Sequence, residues 1–226
     1  GTQQTGAVTL ASNVMLGLGS GKTMTISGVI GSSGAYGLTI NNGTDTGRVV
    51  FSGNNTYTSA TTISSGTLQV SGSGTLGNNA NALTIDNATL DLQKSVTVGS
   101  LSMTGASPAI TNTTGTSSLV VSGTSTLKGN ITTSGVQTYS GAVTLGGATV
   151  INAGSGDVTI RARSFDWNSS NLAHGGFTSL EITSTGLIKI LPDTDTDSFG
   201  QNVDTRWFDF TRATPGGFQY GHANNT

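Results

Sequence analysis

The stretch GNNTYTSATTISSGTLQV, residues 53–70, decides the fold. It contains two short runs in which apolar and polar residues alternate, with a glycine-bearing turn between them. Alternation with a period of two is typical of half-buried strands, and this length corresponds to about one coil of a solenoid. Related segments recur along the chain: GAVTL at 6–10 and 141–145, GLTI at 37–40 and ALTI at 82–85, GTLQV at 66–70 and ATLDL at 88–92.

This repetition predicts an all-β fold, a parallel β-helix (β-solenoid) of about 8 to 11 coils with roughly 20 residues each. A sandwich or barrel also accommodates many short strands. Solenoid coils stack like on like, whereas sandwich strands need not resemble each other, so the recurring patterns favour the solenoid. No stretch shows a clear helical period.

Composition changes near residue 160. Twelve of the twenty charged residues, both Trp, both His and six of the seven Phe lie beyond it. We expect residues 1–160 to form the repetitive β-solenoid. In residues 161–226 we expect further coils with a decorated loop at 165–177, then a tail that caps the solenoid or docks on a partner.

The low charge of the chain excludes several classes of function. Charged residues make up 9% of the sequence and the net charge is −2, against roughly 25% charged residues in ordinary domains. Such a surface has no basic patch for nucleic acid or anionic lipid.

The chain has no cysteine, which excludes thiolate catalysis and Cys-ligated zinc. It contains no transmembrane segment and no signal-peptide pattern at its start, so we expect a processed or excised piece.

Residues 53–70 resemble the autotransporter-associated β-strand repeat. The positions that this repeat favours are occupied by Asn55, Tyr57, Thr61, Thr62, Ile63, Gly66, Thr67, Leu68 and Gln69. Ser59 and Ala60 stand where the repeat usually has a glycine pair. A second stretch, residues 135–160, resembles coils of filamentous-haemagglutinin-like large exoproteins.

Both resemblances imply a secreted, extracellular, right-handed parallel β-helix at a bacterial cell surface, which serves as the stalk or passenger of an adhesin. They carry over no catalytic residue or cofactor. The implied partner is a component of a host, a neighbouring cell or the matrix, or further copies of the chain. Exposed aromatic residues would anchor such a contact, and the candidates are Phe165, Trp167, Trp207 and Phe208.

Two other functions fit the same architecture. A solenoid whose two ends are complementary would assemble into an extracellular filament. A polysaccharide-active enzyme or phage tailspike would need paired carboxylates on one outer face. Asp86 and Asp91 flank adjacent predicted strands and are the candidate pair, although a turn Asp and a strand-edge charge explain them equally. His174 and His222 lie in polar, glycine-rich surroundings typical of exposed loops.

Threonines at the outward positions of the predicted strands form a further pattern. If they share one face, they would make a flat hydroxyl array of the kind that binds ice, although Thr is also a common residue on any solvated strand. The residues are Thr9, Thr25, Thr39, Thr62, Thr84, Thr97, Thr144 and Thr159.

Aspartates in residues 192–204 suggest a calcium site. Asp193, Asp195 and Asp197 have the spacing of positions 1, 3 and 5 of a calcium loop, and Asp204 falls at position 12. Ser198 stands where the EF-hand loop has glycine, and Asp replaces the closing Glu. A solvated acidic loop explains the same residues.

Calorimetry distinguishes these two interpretations. If the four aspartates bind calcium, titrating millimolar calcium into the chain will release or absorb heat above the dilution background, because carboxylates exchange water for the cation. Asp193→Asn should reduce this heat. A titration without heat would contradict calcium binding and favour the interpretation of these residues as a solvated acidic loop.

Overall fold

The alternating runs of the sequence form short strands of a parallel β-solenoid. The computed structural model describes residues 1–162, 180–183, 188–192 and 208–209, and these residues contain no helix. Each complete turn of the solenoid passes through three faces. We call them face 1, face 2 and face 3, in the order in which the chain enters them.

Face 1 is the longest stack of strands among the described residues. Its members pair in parallel, each with the strand one turn later. They are β1 (Thr2–Gln4), β4 (Thr23–Ile26), β7 (Arg48–Phe51), β9 (Gly66–Val70), β11 (Ala88–Leu92), β14 (Ala109–Thr111), the second halves of β16 (Ser125–Thr132) and β18 (Val143–Asn152), and β20 (Leu180–Thr183).

Face 2 is assembled in the same way but is interrupted by two irregular passages. Its strands are β2 (Val8–Leu10), β5 (Ile30–Ser32), β12 (Val96–Val98), β15 (Leu119–Val121), β17 (Gln137–Tyr139), β19 (Val158–Ala162) and β21 (Ile188–Pro192). Between β5 and β12 the stack continues through backbone hydrogen bonds, from Thr56 N to Ile30 O (2.8 Å) and from Asn78 N to Tyr57 O (3.0 Å). The last strand, β22 (Phe208–Asp209), pairs with β21 in the antiparallel direction.

Face 3 completes each turn. Its strands are β3 (Val14–Leu16), β6 (Leu38–Ile40), β8 (Thr61–Ile63), β10 (Ala82–Asp86), β13 (Ser100–Thr104) and the first halves of β16 and β18. In β16 and β18 the chain passes from face 3 to face 1 within one strand, with a register shift between Leu127 and Gly129.

The prediction of a parallel β-solenoid is confirmed, with about 7 turns instead of 8 to 11. The predicted number of coils assumed that every turn has the same number of residues, whereas the observed turns differ in length. Arg48 pairs with Thr67, 19 residues later, while Thr23 pairs with Arg48, 25 residues later. Beyond residue 162, strands β20 and β21 continue faces 1 and 2 in parallel. The proposed domain boundary at residue 160 stays a prediction.

The core consists of rows of apolar side chains that run along the solenoid axis. From Val49 to Ile151 the inward positions of the central row on face 1 are fully buried, and each side chain stacks on its counterpart one turn away. This row is Val49, Leu68, Leu90, Ile110, Ile131 and Ile151. Burying each such side chain contributes about 1.5–3 kcal/mol, so stacking equivalent strands provides the hydrophobic stabilisation of the fold.

Glycines mark the corner between faces 2 and 3, because the backbones of successive turns approach closely there. Gly123 N donates a hydrogen bond to Gly99 O at 2.7 Å. A Cβ on Gly123 would lie 2.5 Å from that same carbonyl oxygen, and a Cβ on Gly141 would collide with the carbonyl group of Gly123. Residues with side chains are therefore excluded from these positions by the turn before.

We predict that Gly141→Ala destabilises the solenoid, whereas Gly19→Ala does not. The new methyl group at 141 has to displace backbone, which costs about 1–3 kcal/mol. A Cβ at Gly19 would meet no atom within 4 Å. Thermal unfolding followed by circular dichroism measures the difference, with a fall of roughly 2–4 °C per kcal/mol expected for a chain of this size. Equal melting temperatures for the two variants would contradict the steric explanation.

Candidate binding surface

Most of the residues predicted to bind ligands lie outside the described part of the chain. These are the calcium candidates Asp193, Asp195, Asp197 and Asp204 and the aromatic candidates Phe165, Trp167 and Trp207. His174 and His222, which the sequence predicts to be exposed loop residues, also lie outside it. Phe208 lies in β22, where it is the pairing partner of Ile190. The calcium site and the aromatic contacts stay predictions.

Asp86 and Asp91 do not converge on a shared catalytic site. The Asp91 carboxylate is buried, with 1% of its surface exposed, and it accepts hydrogen bonds from Thr113 and Gln93. Its oxygens lie 3.0 Å from Thr113 N, 2.8 Å from Thr113 Oγ1 and 3.1 Å from Gln93 Nε2. Asp86, by contrast, is on face 3 and partly exposed. The hydrogen bonds of Asp91 therefore fasten one turn to the next.

Three buried amide side chains connect successive turns in the first half of the solenoid. Asn55 Oδ1 accepts from Ile30 N one turn before, and Asn55 Nδ2 donates to Thr75 O one turn later, both at 2.9 Å. Asn41 accepts from Leu18 N one turn before and donates to Ser65 O one turn later, as well as to the nearby Gly47 O. Asn81 donates to Tyr57 O one turn before. Each amide satisfies backbone groups that the strand ladders leave unpaired.

Two tyrosines lie inside the solenoid with their hydroxyl groups satisfied. The Tyr57 hydroxyl is 2.6 Å from Thr61 Oγ1, and the Tyr139 hydroxyl donates to Gln137 Oε1 at 2.7 Å. Burial raises the pKa of both phenols well above the ordinary value near 10. Both rings therefore stay neutral in the folded chain, and neither serves as an acid or base at physiological pH.

The outward threonines do not form a single array, because they are distributed over the three faces. Thr25 lies on face 1, while Thr9, Thr97 and Thr159 lie on face 2. Four of the eight share face 3, where Ser102 and Thr126 complete a row with one hydroxyl per turn. We call it the hydroxyl row: Thr39, Thr62, Thr84, Ser102, Thr126 and Thr144. No side chain of this row has a hydrogen-bond partner among the described residues.

A groove of about 590 Å³ lies where face 3 meets face 1. One wall is the loop of residues 42–46, and the floor is formed by face 3 with Thr39, Ser64 and Asp86. Met15, which pairs with Thr39 and is 53% exposed, lies at one end. The sequence carries no local signal for this groove, because the groove depends on how strands 20 or more residues apart are aligned.

Internal hydrogen bonds hold the loop of residues 42–46 in place. Asn42 Oδ1 accepts from Thr44 N (3.2 Å), Thr44 Oγ1 (2.8 Å) and Asp45 N (3.2 Å). Gly43 N donates to Ser65 Oγ at 3.0 Å, and Ser65 Oγ donates to the carbonyl oxygen of Asp45. Because these contacts tie the loop to the next turn, the wall of the groove is preformed.

The described residues give no indication of a metal centre. Among them, no three His, Cys, Asp or Glu side chains cluster in a way that could hold a metal ion. Nor does that part of the chain include a helix of the length and apolar character that crossing a membrane requires.

A comparison with family models matches residues 44–70 to the passenger-associated-transport-repeat, a repeat of autotransporter passengers. The matched segment contains β7, the Asn55 amide bridge, β8 and β9, and so covers one turn and the first strand of the next. This match confirms the resemblance of residues 53–70, while that of residues 135–160 stays a prediction. Searches of curated proteins and of solved structures found no match.

We predict that Asn55→Leu destabilises the chain by about 1–3 kcal/mol. The substitution leaves the buried Ile30 N and Thr75 O without their partners, which costs the desolvation of both groups. Asn54→Leu is the matched control, because Asn54 is exposed and its side chain makes no hydrogen bond. Denaturant unfolding of both variants measures the difference. An unchanged midpoint for Asn55→Leu would contradict a stabilising role for the amide.

Proposed function

Because this chain carries a passenger-associated transport repeat within a parallel β-solenoid, we propose that it is a segment of an autotransporter passenger with an adhesive role at a bacterial cell surface. The repeat implies a secreted or surface protein, and it suggests a structural domain. The observation that carries the proposal is the position of the repeat. Its matched residues form the turn itself, with Tyr57 in the core and Asn55 joining neighbouring turns.

In this proposal the solenoid is a stalk that holds its contact residues away from the cell. The coil stack supplies length and rigidity, since every turn is fastened to the next by backbone hydrogen bonds and stacked apolar rows. The partner is a surface component of a host, a neighbouring cell or the matrix. Phe165, Trp167, Trp207 and Phe208 are the proposed anchors, because aromatic residues dominate the energetics of protein contacts.

The strand order at the far end supports the stalk over an end-to-end filament of this chain. A filament that extends the solenoid needs a free edge to which another parallel strand can be added. On face 2 the edge of β21 is covered by β22, which runs antiparallel. The next parallel strand of a second copy would find this edge occupied.

Display on bacteria tests the adhesive role. The full chain is placed as the passenger of an autotransporter system, and surface exposure is measured with a protease applied to intact cells. We expect the displaying bacteria to adhere to epithelial monolayers or matrix-coated plates more than bacteria displaying an unrelated passenger. Efficient display without any gain in adhesion would contradict the adhesive role and leave the structural one.

Substituting the anchors separates contact from display. Phe165→Ala with Trp167→Ala should lower adhesion about fivefold or more, the loss typical of contact residues that matter. The matched control is Val136→Ala, an exposed apolar side chain on a turn of the stalk, which should leave adhesion unchanged. Both variants must be displayed equally for the comparison to count.

A further inference from the structure

The most developed candidate site in the described part of the chain is the groove between the loop of residues 42–46 and face 3. Its lining includes residues from the face 3 strands of four successive turns or directly after them: Met15, Thr39, Ser64 and Asp86. Neighbouring strands are about 4.8 Å apart, so these four positions span about 14 Å. The groove is thus a linear site that runs along the solenoid axis.

The groove offers hydrogen-bonding groups that have no partner within the described residues. They include the hydroxyls of Thr39, Thr46 and Ser64, and the carboxylate of Asp86. The amide group Nδ2 of Asn42 is also free, because only its Oδ1 is used within the loop. Donors and acceptors therefore converge on one open, solvent-filled space.

The chemistry of this lining selects a class of ligand. Among the described residues, no lysine, arginine or aromatic residue lines the groove, and Asp86 is the one ionisable residue of its lining. An anionic polymer would meet this carboxylate without a compensating cation. A ligand rich in neutral hydroxyl groups, in contrast, can donate to the carboxylate and exchange hydrogen bonds with the hydroxyls and the amide.

An extended peptide fits the same groove less well. Peptides that lie along a sheet add a strand to an exposed edge, or place side chains in apolar pockets. The strands β6, β8 and β10 along the groove are paired on both sides, and the free edge of β3 at one end runs across the solenoid axis, so no strand edge follows the groove. The lining contains a single large apolar side chain, Met15. Repeating hydroxyls match a repeating hydroxylated chain better than they match a peptide.

We propose that this groove binds a neutral, extended oligosaccharide aligned with the solenoid axis. The inference rests on the proposed adhesive function and gives it a ligand class and a location. Asp86 accepts hydrogen bonds from the sugar hydroxyls, while Thr39 and Ser64 contact neighbouring sugars. An extended β-linked glycan advances per sugar by nearly the distance between neighbouring strands, so one sugar corresponds to one turn.

The experiment uses the full chain, labelled with ¹⁵N, and two probes: cellohexaose and the hexamer of N-acetylglucosamine. We expect at least one of them to shift the amide resonances of Asn42, Ser64 and Asp86 at concentrations up to several millimolar, as expected for a shallow polar site. Asp86→Ala should weaken this binding about tenfold, since it removes hydrogen bonds to a charged group.

A blocking variant with a matched control tests the location. Thr39→Arg places a long side chain on the floor of the groove, whereas Thr144→Arg places it in the same hydroxyl row several turns away. The first should abolish the resonance shifts and the second should preserve them. Circular dichroism and melting temperature verify that both variants fold.

Three results would overturn the proposal. They are the absence of shifts with both hexasaccharides, equal loss of binding in Thr39→Arg and Thr144→Arg, and shifts caused by an uncharged decapeptide but by neither glycan. If the hexasaccharides fail while bacteria that display the chain still adhere, the groove assignment is wrong and the adhesive function stands. If the glycans bind while the displaying bacteria do not adhere, the groove assignment stands and the adhesive function is wrong.

Discussion

The stacking of backbone on backbone at the spacing of β-strands is the constraint on which the rest of this structure depends. Within the faces the ladders satisfy the backbone groups, but at the corners the chain changes direction and the ladder is interrupted. Two residue types allow the turns to stack at these corners. Glycines such as Gly123 permit the turns to approach without a Cβ, and amides such as Asn55 reach both neighbouring turns.

The same constraint explains why the chain has so few charges. A residue on an outer row has its counterparts about 4.8 Å above and below it, so a charged residue repeated from turn to turn would face like charges on both sides. In the parallel ladders of the described strands, charged residues pair with neutral ones, and the antiparallel pair Lys189–Asp209 joins opposite charges. Asp86 pairs with Thr104, and Arg48 donates to the side chain of Gln69 at 2.8 Å. Neutral hydroxyl residues are compatible with indefinite repetition.

The sequence was sufficient to predict the solenoid, because its strands repeat their apolar positions and its corners repeat their glycines. Residues 53–70 also indicated the kind of repeat that the family-model match of residues 44–70 confirmed. It was not sufficient to predict which rows share a face, since that depends on loop lengths that differ between turns. Thr25 and Thr39 look equivalent in the sequence, yet they lie on different faces. Asp91 looked like half of a catalytic pair but is buried in contact with Thr113, and the groove beside residues 42–46 has no local signal at all.

The stacked row of Val49, Leu68, Leu90, Ile110, Ile131 and Ile151 has a consequence for how such a protein can evolve. Each of these side chains stacks on its counterparts in the adjoining turns, and those counterparts are similar in size and shape. Duplication or loss of one whole turn would therefore rejoin two compatible surfaces and leave the remaining turns as they were. The length of the molecule can change by gene rearrangement in steps of one turn, without a new core having to be invented.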